Sequence, residues 1–161
     1  MKAISSVCIN ASTAKVWELL SDIEKVSIWA EPVLEAKCTS PSNVGVGAER
    51  VCKLKGNMQV KETWVGWNEG KSFTYVAEGI PFTKSAKNTW SIEDENGITL
   101  LTSVAEIEFK KGILGYLMAG VMKLAMKRQA PQALATFKYW VENGTPYTGK
   151  PSALKLGPTR C

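Results

Sequence analysis

Lys110-Lys-Gly-Ile-Leu-Gly-Tyr-Leu-Met-Ala-Gly-Val-Met-Lys-Leu-Ala-Met-Lys-Arg-Gln-Ala-Pro-Gln-Ala-Leu-Ala-Thr-Phe-Lys-Tyr-Trp-Val-Glu-Asn-Gly144 decides how this chain folds. Leu114, Leu117, Val121 and Leu124 recur at three- and four-residue intervals, and Leu134, Phe137 and Val141 resume the spacing after Lys127, Arg128 and Pro131. The periodicity predicts one long helix, with Gly144 as its stop. At 1.5 Å per residue it would run about 45 Å, enough to cross one face of a small domain. Something wide must receive it. Pro131 removes a backbone hydrogen bond and crowds the carbonyl of Lys127, which predicts a kink.

The two halves of this helix differ in chemistry. From Ile113 to Met126 the surface is apolar nearly all round, with Met118, Met122, Met126, Gly115 and Gly120 and the single charge of Lys123. The run falls short of the roughly 20 apolar residues a membrane span needs. Met is adaptable and Gly leaves space, a mixture that suits a wall accommodating a guest better than a tightly specified core.

Upstream, Ala3 to Ile9 alternates as a strand, and Asn10 and Ser12 are candidate caps for a helix over Ala14 to Leu20. A second short helix begins at Ser21-Asp22, runs through Ile23, Val26 and Trp29, and is closed by Pro32. Further strands are predicted over Val33–Thr39, Glu49–Lys55, Met58–Trp67, Ser72–Ala77, Thr83–Glu93 and Ile98–Phe109. The turn signals between them fit an antiparallel meander, not βαβ units. Gly45-Val-Gly47 precedes a strand rather than a helix, which excludes a phosphate loop. After Gly144 the composition turns to Thr, Pro, Gly and Lys, so residues 145–161 read as a tail and residues 1–144 as the domain.

The 161 residues fit one domain with a real core. A net charge of +5 allows attraction to anionic surfaces, but the lysines are scattered and not interleaved with aromatics, so nucleic acid is not an expected partner. No histidine is present, which removes the usual general base and metal ligand, and neither metal nor cofactor is expected. The opening residues lack a signal-peptide pattern, and a cytoplasmic protein is expected. Cys8, Cys38, Cys52 and Cys161 show no CxxC spacing; in a reducing cytosol they are expected as free thiols. A hairpin symmetric about Gly45 would set Cys38 opposite Cys52.

The order of elements resembles a known family. So do Ile9-Asn-Ala-Ser-Thr-Ala-Lys-Val-Trp-Glu-Leu-Leu-Ser-Asp22, the Trp29–Val33 segment, the glycine-containing loop, and Ala133-Leu-Ala-Thr-Phe-Lys-Tyr-Trp-Val-Glu-Asn-Gly144. Together they look like the START/Bet v 1-like (SRPBCC) superfamily, in its polyketide cyclase/dehydrase branch. The resemblance implies an α+β helix-grip fold: a curved seven-stranded antiparallel sheet wrapped around a long C-terminal helix, two short helices after the first strand, and a deep hydrophobic cavity. It also implies a small hydrophobic ligand, lipid-like, polyketide-like or aromatic, that is carried or, in some members, cyclised. No catalytic motif of the family matches this sequence residue by residue.

Side-chain alternation supplies the site candidates. Trp64 and Trp67, three apart on one strand, should point to opposite faces. A cavity lined by Trp29, Trp64, Tyr75 and Trp90 with Leu117, Met118, Val121 and Met122 of the long helix would suit a flat apolar ligand. Glu62 alternates with Val60 and Trp64, and Glu106 with Val104 and Leu100. Buried, either carboxylate would have a raised pKa and join Tyr75 in proton transfer; otherwise each lies outside or pairs with Lys61, Lys87 or Arg50. Gly45, Gly47, Gly79 and Pro81 mark loops expected at one entrance near the early part of the long helix. Three functions fit: carriage of a small hydrophobic molecule, a cyclase/dehydratase using the same cavity, or docking of the apolar patch around Ile113 to Met122 on a protein or membrane surface.

Overall fold

A computed structural model of the chain describes residues 1–161. Strand β1 (Lys2–Ile9) leads into helices α1 (Thr13–Leu20) and α2 (Val26–Trp29). Six strands follow: β2 (Val33–Cys38), β3 (Glu49–Leu54), β4 (Met58–Asn68), β5 (Ser72–Glu78), β6 (Thr83–Glu95) and β7 (Ile98–Phe109). Helix α3 (Ile113–Asn143) closes the fold. The strands form one antiparallel sheet in the order β1-β7-β6-β5-β4-β3-β2. This is the α+β helix-grip architecture.

Local chemistry explains the elements. Ser12 Oγ accepts the Lys15 N–H at 3.4 Å and starts α1. The β6–β7 turn puts Asn96 and Gly97 both at positive φ, 58° and 86°, which two-residue hairpins require. Helix α3 runs unbroken through Pro131 and ends at Gly144, whose φ is 72°. No helix is long and apolar enough to cross a membrane.

Antiparallel pairing gives the sheet two ends. At the front lie the start of β1, the β3–β4 turn, the β5–β6 loop, and the end of β7, from which α3 departs. At the rear lie the end of β1, the β4–β5 and β6–β7 turns, and the β2–β3 loop. Inward-facing residues fill the rear with bulk: Val7, Leu101 and Ile92 in one row, Trp90 and Phe73 in the next. Phe137 of α3 seals this core, with Trp29 at 5.3 Å and Trp140 at 6.2 Å between ring centroids.

Three expectations need correction here. First, β2 and β3 pair Cys38 with Arg50 and Ala36 with Cys52, so the pairing is centred on Val44 rather than Gly45, and Cys38 lies opposite the residue two before Cys52. Second, β4 shifts register between Trp64 and Gly66. The extra residue turns Trp67 back to the face of Trp64, where it stacks on Phe73 at 5.8 Å, so the two tryptophans share one face.

Third, the thiols are not all free. Cys8 and Cys161 form a disulfide, while Cys38 and Cys52 remain thiols. Sequence spacing hides this pairing because the partners stand 153 residues apart. The tail reaches back along β1, where Pro158 O accepts the Cys8 N–H at 2.9 Å, and Leu156 packs on the core. A link closing so long a loop restricts the unfolded chain, so reduction is expected to lower stability by about 2–4 kcal/mol. Urea unfolding with and without reductant measures this, and the unreduced chain should be lighter than the reduced one by two hydrogens.

Candidate functional site

On β1, β6 and β7 the inward side chains toward the front of the sheet are mostly small. Pairing aligns Ala3, Ala105 and Asn88 across β1, β7 and β6, and Ile107 with Ala86 one row further forward. Ser5 and Ser103 pair behind them. Such residues cannot fill the space that Trp90 and Leu101 fill at the rear. At this end an open hollow of about 620 Å³ is lined by Met1, Ala77, Ala86 and Ile107 together with Val76, Lys87, Glu106 and their neighbours. That volume lies in the range of small-molecule sites.

No residue of α3 lines this hollow, and the less exposed side of its front half is the methionine side. Gly115 is buried, and Met118, Ala119, Met122 and Met126 are half-buried. They form one helical stripe. The Leu114, Leu117, Val121 and Leu124 stripe points away, with Leu117 61% and Val121 60% exposed. Of the expected helix residues, Met118 and Met122 are half-buried while Leu117 and Val121 are exposed, and none of the four lines the hollow. Periodicity gives the spacing of a stripe but cannot say which of two apolar stripes turns inward.

The expected aromatics are buried together. Trp64 lies 5.2 Å from Tyr75, and Trp29 lies 5.5 Å from Trp90. All four belong to the packed core, and none of them lines the hollow. The Trp64 Nε1–H is the one buried side-chain nitrogen or oxygen without a partner.

Polar groups cluster beside them. Ser103 Oγ donates to Asn88 Oδ1 at 3.1 Å, and Asn88 Nδ2 donates to Tyr75 Oη at 3.3 Å. Tyr75 Oη thus accepts one bond and keeps its own proton to give. Burial pushes the phenol well above its ordinary pKa, and Glu62 adds to the rise, so near neutral pH it is a donor, not a base.

Glu62 is buried and ion-paired with Arg50. Arg50 Nη1 also donates to Ile23 O at 2.7 Å, and the guanidinium carbon lies 5.0 Å from the Trp64 ring centroid and 5.5 Å from that of Tyr75. Burial lowers the Arg50 pKa, but Glu62, Tyr75 and Cys52 outweigh it and hold it above its ordinary value. Cys52 donates to Glu62 Oε2 at 3.7 Å. Burial, reinforced by Glu62, pushes its thiol up to about 12, which leaves it protonated and unreactive near neutral pH.

Glu106 is not a buried acid. It stands on the outer face with Lys87 at 2.8 Å and Lys2 at 3.9 Å, and the Lys87 hydrogen bond and charge hold its pKa below the ordinary range. Its in-phase neighbours Val104 and Leu100 share the outer face, so Glu106 takes the other position the sequence allowed, outside and paired with Lys87.

The two glycine loops do not share an entrance. The loop with Gly45 and Gly47 joins β2 to β3 at the rear, where Gly47 N donates to Trp64 O at 2.9 Å. The loop with Gly79 and Pro81 lies at the front beside α3, with Lys110 N donating to Phe82 O at 2.9 Å. Gly79 serves close approach rather than motion: its φ is +94°, and a Cβ there would come 2.6 Å from Gln59 O.

Asn88, Ser103 and the alanines escaped the sequence reading. Asn88 is in phase with Trp90, a signal alternation could have used, but the alignment of alanines across strands exists only once register is known. No group of three or more His, Cys, Asp or Glu side chains is arranged to hold a metal ion.

Residues 2–142 match the family model described as polyketide cyclase / dehydrase and lipid transport. The Zhui aromatase/cyclase from Streptomyces sp. R1128 superposes with a TM-score of 0.73 at 11% identity, over 91% of this chain and 99% of that one. TTHA0849 from Thermus thermophilus gives 0.72 at 16% identity, over 90% and 99%. A protein from Thermobifida fusca gives 0.67 at 19% identity, over 88% and 95%. No curated protein sequence matches the chain. At these identities the structural likeness carries the fold alone.

Proposed function

The chain belongs to the polyketide cyclase/dehydrase and lipid transport family, and from that premise we propose that it binds a small hydrophobic molecule at the front of the sheet. The observation that carries this reading is the hollow itself, with Met1, Ala77, Ala86 and Ile107 on its wall. A lipid-like, polyketide-like or aromatic body would lie against these apolar groups. Tyr75 and Asn88 stand one inward position behind the lining residues Ala77 and Ala86 on β5 and β6; a polar end reaching that far would accept the proton that Tyr75 Oη has free, with the Asn88–Ser103 pair fixing the phenol. A donor held protonated suits orientation of a ligand oxygen better than proton abstraction, which favours carriage over cyclisation.

Filling the hollow tests the reading. Ala86 lines it and is buried, so Ala86→Phe is expected to weaken binding of aminoanthracene, followed by energy transfer from tryptophan, about tenfold or more. Unchanged affinity in a folded Ala86→Phe protein would place the ligand elsewhere. Native mass spectrometry of the purified protein, followed by solvent extraction, identifies what it carries.

A further inference from the structure

The outer side of the front half of α3 is an apolar surface that nothing in the fold covers. Ile113 is 81% exposed, and Leu114, Leu117, Val121 and Leu124 all exceed half. They occupy one side of about three helical turns, roughly 16 Å from Ile113 to Leu124. Large exposed apolar patches on soluble folds mark contact sites.

Charge identifies the partner. Lys110, Lys111, Lys123, Lys127 and Arg128 surround the patch, and no Asp or Glu occurs between Glu108 and Glu142. An apolar face ringed by cations alone complements a surface that is apolar beneath and anionic above. Two aromatics stand where such a surface would meet them. Tyr116 is 80% exposed on α3, and Phe82, 40% exposed, is held at φ 61° beside the start of the helix. A left-handed backbone is uncommon for a bulky residue, and here it accompanies a ring presented to solvent. Tyrosine and phenylalanine both suit the boundary between headgroups and acyl chains.

We propose that the front half of α3, with Phe82, docks on the surface of a bilayer containing anionic phospholipid. The helix lies in the plane of the headgroups and does not span. Because the hollow opens at the same end of the sheet, docking brings its mouth to the membrane. A lipid-like ligand then passes between them with little exposure to water.

The docking surface rests on the exposed face and its cations, so it is tested with ligand-free protein and separately from aminoanthracene binding. The full chain is mixed with vesicles of phosphatidylcholine containing phosphatidylglycerol at about one lipid in three, and with phosphatidylcholine alone, and bound protein is sedimented. Strong binding to the mixed vesicles, weakening as salt is raised, is expected. Ile113→Glu with Leu124→Glu should reduce it about tenfold or more while leaving aminoanthracene affinity unchanged. Lys127→Ala and Arg128→Ala should each reduce it about fivefold. Absent binding, equal binding to both vesicle types, or a solution dimer that the double glutamate variant dissociates would overturn the proposal, the last by assigning the face to a second copy of the chain.

Discussion

Replacing Glu62 by alanine is expected to destabilise the fold by about 3–5 kcal/mol, because it leaves the Arg50 guanidinium buried without its countercharge. Arg50 is 6% exposed, and its remaining protein hydrogen bond, to Ile23 O, is to a neutral carbonyl. It cannot escape by losing its proton, since arginine stays charged in proteins and this one is held above its ordinary pKa. Urea unfolding measures the loss. Adding Arg50→Met should recover most of it, because removing both charges removes the desolvation penalty with the attraction. A loss below about 1 kcal/mol for Glu62→Ala alone would show that water reaches Arg50 and that the pair is not a dry anchor. The comparison also bears on the site, since Arg50 rests against the Trp64 and Tyr75 rings.

Phe137→Ala should cost about 3–5 kcal/mol, whereas Leu117→Ala, twenty residues earlier on the same helix, should change stability by less than about 0.5 kcal/mol. Phe137 is fully buried and touches Trp29 and Trp140, so truncation leaves a cavity that three elements cannot close together. Leu117 is mostly in water already. The contrast assigns stability to the rear half of α3 and leaves the front half for contact. Equal losses at both positions, read from urea midpoints, would mean that the front half packs on the sheet in solution.

Much of the architecture was legible because it rests on short-range rules. Alternation marked the strands, Ser12 and Gly144 marked helix ends, and the Asn96-Gly97 turn stands between two of the alternating runs. The errors lie where a long-range choice intervenes. One extra residue between Trp64 and Gly66 reversed the expected facing of Trp67, and a two-residue shift of register separated Cys38 from Cys52. On α3 the sequence offers a leucine side and a methionine side, and the sheet, not the periodicity, selects the methionines. Alternation left each carboxylate two positions: Glu62 lies inside, paired with Arg50, and Glu106 outside, paired with Lys87, because both faces carry apolar residues. The disulfide and the row of alanines depend on contacts between distant segments, which no local pattern records.

The pairing of Pro158 O with the Cys8 N–H has a consequence for colloidal behaviour. β1 is an outermost strand, and an uncovered strand edge is a template on which other chains can add strands. The tail occupies part of that edge, Lys138 Nζ holds the Cys8 carbonyl at 2.6 Å, and the Cys8–Cys161 bond keeps the tail in place. A reducing medium therefore does more than loosen the chain: it unmasks an edge from which aggregation can start.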